Sequence, residues 1–278
     1  MAINVVWFKR DLRLSDHAAL ELASRLPQKC LLLYIFEPAL LSNSHYRGRH
    51  WQFIAQSLRD LQQVLNASGR ELAVLEGNAV ALLNELDERL GIVNLLSYEE
   101  TGLDVTFQRD LAVAKLCDAK GIVWRQFQTN GIERGRHNRT GWNRSWHRVM
   151  TSPCHTVPVT RLNTVSLSSE PVFTALRSAK YQTWLTARSD LQQGGQTQAH
   201  QVLSSFLTER GWGYQKFISK PETSRVHCSR LSPYLAWGNL SMRQAYQALQ
   251  QQEKRHGWSR AMNAFESRLH WHCHFIQK

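Results

Sequence analysis

Five groups of residues carry side chains able to do chemistry. The first is Lys9-Arg10-Asp11-Leu12-Arg13-Leu14-Ser15-Asp16, directly after an apolar run. At the carboxyl end of a strand, Lys9, Arg10 and Arg13 could meet an anion; alternatively, Arg10 and Arg13 pair with Asp11 and Asp16 and hold the loop. No GxGxxG follows the run and no GxxxxGK(S/T) occurs, so a standard dinucleotide or nucleotide loop is not indicated. The second group, Arg134–Arg148, interleaves Arg134, Arg136, Arg139, Arg144 and Arg148 with His137, Trp142, Trp146 and His147. That mixture suits phosphate contact and base stacking. The competing reading is a connection that docks through its tryptophans and leaves its arginines solvated. The third is Cys228–Ser241, where Ser229, Arg230 and Ser232 precede a helix. Unsatisfied N–H groups and the positive end of the helix dipole make a place for a diphosphate; plain capping by Ser229 and Ser232 is the alternative. The fourth, His270-Trp271-His272-Cys273-His274, has the composition of a metal site. On a helix, however, only His270 and His274 share a face, and no carboxylate set accompanies them, so packing or cofactor contacts are the better reading. The fifth is Glu99-Glu100, placed either near a crevice or in a solvated loop. No GxSxG, HExxH or Cys–His protease signature is present.

The elements that must position these groups alternate in the first half. Apolar runs at Ile3–Phe8, Cys30–Phe36, Glu71–Leu75, Ile92–Ser97 and Ile122–Phe127 read as five strands. Helical spacing spans Asp16–Leu26 with Asp16 as cap, His50–Asn66 before Gly69, Asn78–Leu90 before Gly91, and Val105–Ala119 before Gly121. Strands separated by helices predict right-handed crossovers and a mainly parallel, Rossmann-like five-stranded sheet. From Thr129 to about Gly195 the pattern fails, and the stretch reads as a long irregular connection with short helical pieces such as Thr174–Arg188. Helices return at Thr197–Arg210, Ser241–His256 and Ala261–Ile276. The expected units are 1–130, an α/β domain; 131–195, a linker; and 196–278, the start of an all-α domain.

Composition narrows the class. The 278 residues carry 34 Lys+Arg against 22 Asp+Glu, a formal net charge of +12, with 42% hydrophobic residues. Mean hydropathy is −0.41. This is a globular balance, and the basic excess favours a polyanionic partner. No apolar run is long enough to cross a bilayer and no secretory leader is evident. The five cysteines are odd in number and show no CxxC spacing, which points to a reduced, cytoplasmic chain without disulfides or a structural zinc. Ten tryptophans are many for this length.

Three of these segments together resemble one family. Val6-Trp7-Phe8-Lys9-Arg10-Asp11-Leu12-Arg13-Leu14-Ser15-Asp16-His17 is similar to the opening of photolyases and cryptochromes. Ser229-Arg230-Leu231-Ser232-Pro233-Tyr234-Leu235-Ala236-Trp237-Gly238 resembles their flavin-diphosphate segment. Phe265–Phe275 resembles the helix that the family places beside flavin and lesion. The resemblance implies a non-covalent FAD in the helical part, touched by Tyr214, Cys228, Ser229, Arg230, Leu231, Ser232, Arg268, Trp271 and His272. Cys228 stands where the family often has threonine. Trp271 matches a tryptophan at the rim of the substrate cavity, and Arg268 falls where repair members often carry a carboxylate or amide that meets the damaged pyrimidine. The implied activity is light-driven splitting of cyclobutane pyrimidine dimers in UV-damaged DNA by a monomer. The alternative is a cryptochrome photoreceptor; a plain α/β binding protein is a third reading. The resemblance also implies an antenna chromophore, methenyltetrahydrofolate or a deazaflavin, in the crevice after the first and fourth strands, near Glu99 and Glu100. The family's further flavin determinants lie beyond the last residue here, so the expectation is the front part of a longer protein.

Overall fold

The structure is a computed structural model and describes residues 2–169, 171–185, 190–252 and 255–277. The front part alternates β1 (Ile3–Phe8), α1 (Ala18–Ala23), β2 (Lys29–Phe36), α2 (Pro38–Leu41), α3 (Gly48–Asn66), β3 (Leu72–Glu76), α4 (Ala79–Leu90), β4 (Ile92–Tyr98), α5 (Asp104–Lys120) and β5 (Val123–Phe127). All pairings are parallel, in the order β3-β2-β1-β4-β5. The chain leaves β1 toward one edge and returns to the other side of β1 with β4. A topological switch point therefore lies between the carboxyl ends of β1 and β4.

β1 to β4 read as mainly apolar runs because both sheet faces are covered there, whereas β5, an outer strand with Arg125 and Gln126, is largely exposed. Alternation sends Val5, Trp7, Leu33 and Leu95 toward α4 and α5. Val6, Phe8, Leu32, Tyr34 and Leu96 face α1, α3 and the helical second part, in one continuous cluster that includes Tyr234, Met242 and Phe265. The helix stops follow the sequence. Asn78 caps α4 by accepting from the Ala81 N–H, and Gly121 ends α5 in the left-handed conformation.

Two expectations for this part need correction. Asp16 does not cap α1. His17 does, accepting from the Leu20 N–H, while Asp16 sits at φ +50° with its carboxylate directed elsewhere. The stretch after β5 is also more regular than its Gly and Pro content predicts. It holds α6 (Trp142–Thr151) and α7 (Pro171–Ala175), with a 3₁₀ turn at Tyr181–Trp184 in place of a helix over 174–188; residues 186–189 lie outside the described ones. α6 forms because Trp142, Trp146 and Met150 repeat at i, i+4, i+8 and are all buried. Trp142 Nε1 donates to the Gly131 carbonyl at 3.0 Å. The tryptophans of this basic segment are therefore core residues, unavailable for base stacking, and Arg139, Arg144 and Arg148 are left exposed. Truncating either tryptophan to alanine would cost about 3–5 kcal/mol. Farther along, the Ser178 N–H donates to the Val74 carbonyl and Arg177 bridges antiparallel to Leu75, covering part of the β3 edge.

The second part contains α8 (Gln196–Ser205), α9 (Tyr214–Phe217), α10 (Pro221–His227), α11 (Ser232–Ala236), α12 (Met242–Gln250) and α13 (Ser259–Gln277). Ser241 and Gln244 form a capping box at the start of α12.

Candidate functional site

The loop after β1 and the segment after α11 are fastened together. The Leu12 N–H donates to the Trp237 carbonyl at 3.0 Å, Arg13 Nη1 to the Gly238 carbonyl at 3.1 Å, and Asn239 Nδ2 to the Leu12 carbonyl at 2.9 Å. Gly238 has φ +69°, and a Cβ there would press on the Arg10 carbonyl oxygen and lie 2.6 Å from Asp11 Cα. Only glycine permits that approach. Asp16 completes the seam by accepting from Ser241 Oγ at 2.5 Å, with Arg243 Nε at 3.5 Å. The loop is thus held by ion pairs and hydrogen bonds, but with partners other than those the local sequence offers. Asp11 binds His17 rather than an arginine, and Arg13 reaches the Asp16 backbone carbonyl rather than its carboxylate.

The Asp11–His17 contact fixes a protonation state. His17 Nδ1 accepts from the Leu20 N–H at 3.2 Å, so the ring proton sits on Nε2 and is donated to Asp11 Oδ2 at 2.8 Å. Protonating Nδ1 would set two donors against each other. Burial, with Arg13 nearby, lowers the imidazole pKa despite the carboxylate. Burial alone would raise the Asp11 carboxyl, but hydrogen bonds from His17 and the Lys9 N–H hold it below its ordinary range.

The segment Cys228–Ser232 connects α10 to α11. Arg230 adopts φ +60°, a left-handed conformation that is uncommon for a residue with a Cβ. The turn is held from behind by Arg210, whose guanidinium donates to the carbonyls of Cys228 and Ser229, the latter at 2.9 Å, and by Gln192 Nε2, which donates to the Arg230 carbonyl at 2.8 Å. Leu231 is buried in the core and Ser232 is exposed. Neither Ser229 nor Ser232 caps α11 through its side chain, so the capping alternative does not describe this turn.

Tyr214 of α9 is 5% exposed and packs edge-on against Phe206 and Phe265. Burial pushes its phenol up to about 12, with the Cys228 thiol and the Arg268 guanidinium as its electrostatic neighbours. Those neighbours bring α9, the turn and α13 to one place. On α13, the Arg268 guanidinium lies over the Trp271 ring, 5.0 Å from its centroid, and Trp271 is 47% exposed. His272 faces the seam instead. It lines a cavity of about 210 Å³ with Arg10, Arg13, Tyr98 and Asn130, and its buried Nδ1 has no partner among the described residues. His270 and His274 point to the opposite side, against Trp142 at 5.0 and 5.7 Å. No group of three His, Cys, Asp or Glu fit to hold a metal occurs among the described residues.

A diphosphate suits the turn on electrostatic grounds. Burial and the neighbouring Arg230 both lower the Arg210 pKa, so two guanidinium groups repel across the turn. Neither forms an ion pair with a carboxylate among the described residues. An anion would relieve that repulsion. Arg210 lies about one helical hairpin upstream of the motif, and no local spacing marks it in the sequence.

The acidic pair near the switch point divides. Glu100 is buried, not solvated, and accepts from Arg109 Nη2 at 3.3 Å. Arg109 Nη1 also donates to Glu37 at 2.5 Å, and Lys9 Nζ to Asp110 at 2.8 Å. Burial lowers the Lys9 ammonium pKa and raises that of the Glu37 carboxyl, each opposed by its ionic partner. This crevice retains a free volume of about 20 Å³, room for roughly one water molecule. The expected antenna chromophore does not fit it.

Residues 4–140 match the family model described as DNA photolyase. The front domain is a DNA photolyase family domain. It is 27% identical over 295 residues to the Vibrio cholerae deoxyribodipyrimidine photo-lyase, covering 97% of this chain and 60% of that photolyase. It is 26% identical over 281 residues to Cryptochrome-2 of Gallus gallus, covering 88% of this chain and 46% of the cryptochrome. The solved archaeal photolyase from Sulfolobus tokodaii, described with two FAD molecules, shares the fold with a TM-score of 0.73 at 22% identity, covering 100% of this chain and 59% of that one. The chain thus spans 46–60% of the length of those proteins.

Proposed function

We propose that the intact protein is a light-dependent DNA repair flavoprotein, a deoxyribodipyrimidine photolyase that acts on UV-damaged DNA with FAD. The observation that carries this reading is the convergence of Tyr214, Cys228 and Arg268 beside the guanidinium groups of Arg210 and Arg230, neither of which has a carboxylate ion-pair partner among the described residues. Reduced FAD held by these residues would supply light-driven one-electron chemistry, in which an electron lent to a cyclobutane pyrimidine dimer returns to the flavin once the ring has opened. The protein binds and orients. Arg230, Ser229 and Ser232 hold the diphosphate, Arg210 stiffens the turn, and buried Leu231 anchors it. Cys228 and Tyr214 border the phosphate side. Trp271, half-exposed, offers a face on which a flipped base stacks, and Arg268 supplies a cation at the same rim. His272 reaches toward the cofactor from the seam beside Arg10. The +12 charge favours a salt-dependent grip on DNA. The reading includes a monomer in the reducing cytoplasm, with domains at 1–130 and 196–278 joined by 131–195. Among the described residues no helix is long and apolar enough to cross a membrane.

One observation favours a second reading, a cryptochrome photoreceptor without repair. Arg268 replaces the carboxylate or amide expected against the lesion, and its guanidinium already lies over Trp271. The deciding experiment illuminates the intact, flavin-loaded protein with dimer-containing single- and double-stranded DNA. Multiple turnovers support the photolyase. Flavin photoreduction without restored pyrimidines supports the photoreceptor. A protein that takes up no flavin on reconstitution removes both.

A further inference from the structure

The switch-point crevice between β1 and β4 is where an open α/β sheet ordinarily admits a ligand. Toward β5 it keeps the cavity of about 210 Å³ beside His272, but toward β2 the chain has filled it. Three cations, Lys9, Arg10 and Arg109, meet three carboxylates, Glu37, Glu100 and Asp110, so the group is electrically balanced. The pairs are Lys9–Asp110 at 2.8 Å, Arg109–Glu37 at 2.5 Å, Arg109–Asp110 at 2.8 Å, Arg109–Glu100 at 3.3 Å and Arg10–Glu100 at 3.8 Å. All but Arg10 have side chains no more than 9% exposed.

The aromatic surface that a planar guest would use is taken as well. The Arg109 guanidinium lies 4.9 Å and the Lys9 ammonium 5.0 Å from the Trp7 ring centroid. At the mouth, Arg10 lies over Trp237 at 5.3 Å, and Tyr46 packs on the same indole at 5.7 Å. The remaining 20 Å³ compares with the roughly 300–1,000 Å³ of sites that take molecules of drug or cofactor size. Admitting a tricyclic or pteridine ring would require parting several buried ion pairs at once, leaving charges without solvent or partner.

We propose that this crevice is a closed ionic lock that holds no antenna chromophore, and that the lock itself braces the sheet against Trp237 where a bound chromophore would otherwise do so. Arg10 is the connecting member. It joins the cluster through Glu100, and its backbone carbonyl abuts Gly238. The inference concerns the front domain alone and does not depend on whether the protein repairs DNA.

The test uses the intact protein, with flavin content measured in the same samples so that loss of flavin binding is seen separately. Methenyltetrahydrofolate and 8-hydroxy-5-deazaflavin are titrated in turn and followed by absorbance and fluorescence quenching. The wild type is expected to bind neither in the crevice. Tyr46→Ala, at the rim, is expected to leave that result unchanged. Arg109→Ala combined with Glu37→Ala empties the centre of the lock and is expected to let either probe bind at least tenfold more tightly than wild type. Saturable one-to-one binding to the wild type, weakened tenfold or more by Tyr46→Ala, would overturn the proposal. Binding indifferent to Tyr46→Ala places the probe elsewhere and upholds the lock. If the double variant does not fold, the wild-type and Tyr46→Ala titrations still decide the matter.

Discussion

Gly238→Ala should damage the protein out of proportion to one methyl group. At φ +69° a residue with a Cβ is strained by about 1–2 kcal/mol. The added carbon would also meet the Arg10 carbonyl and Asp11 Cα, which are backbone atoms and cannot rotate aside. Relief requires the loop after β1 to retreat, which loosens the hydrogen bonds Leu12 to Trp237, Arg13 to Gly238 and Asn239 to Leu12. At a net 0.5–1.5 kcal/mol for each bond, the total loss is about 3–6 kcal/mol. The matched control is Gly69→Ala, at φ +66° with nothing within 4 Å of the new carbon. It should lose only the strain, about 1–2 kcal/mol. Urea denaturation of both variants measures the difference, and flavin retained through gel filtration reports whether the seam positions the Arg230 turn. Equal losses in the two variants would refute the account of the seam.

Four further outcomes follow from the geometry. Because the folded-state pKa of His17 lies below 6.5, its contribution to stability is complete above that pH and declines as pH falls. Chemical denaturation between pH 7 and 5 should show this loss, at most about 1.4 kcal/mol per pH unit from this one group, and His17→Asn should make the slope shallower, leaving the part due to other histidines lowered by burial, such as His272. Arg109→Leu leaves Glu37 and Glu100 buried with diminished compensation and should cost about 3–5 kcal/mol, part of it recovered when Glu37→Gln is added; a loss below 1 kcal/mol would contradict the lock. Arg230→Ala should weaken flavin binding about 10–100-fold in a reconstitution titration, whereas Glu222→Ala, exposed in the first turn of α10, should not. Arg144→Ala with Arg148→Ala, on the exposed face of α6, should reduce the salt dependence of duplex-DNA binding by about 1.8 in log–log slope if both residues meet phosphates, with flavin content unchanged.

The sheet was legible because β1 to β4 are short, mainly apolar runs buried on both faces, and β5, though largely exposed, follows the stop at Gly121. Ile3–Phe8 is found with the residues predicted, and the stops at Gly91 and Gly121 follow from backbone conformation alone. What local pattern could not disclose depended on distant partners. Asp16 has the residue type of a helix cap, but Ser241, Arg243 and the His155 N–H claim its carboxylate from far along the chain. Glu100 has the look of a surface acid because its cations come from the loop after β1 and from α5. α6 was hidden by neighbouring Gly and Pro, although Trp142, Trp146 and Met150 carry the helical period. In the candidate site, Cys228–Ser232 was marked by residue type, and Tyr214 and Arg268 only by the family resemblance. Arg210 and the divergence of His272 from Trp271 were not, since neighbouring residues on one helix can belong to different surroundings.

The short pairing of Arg177 and Ser178 with β3 has a consequence for solubility. β3 is an outer strand, and its free amide and carbonyl groups would otherwise be an adhesive flank for a second molecule. The connecting segment shields that flank. A protease cut near residue 175 would release it, so nicked preparations should form higher-order aggregates before either part unfolds.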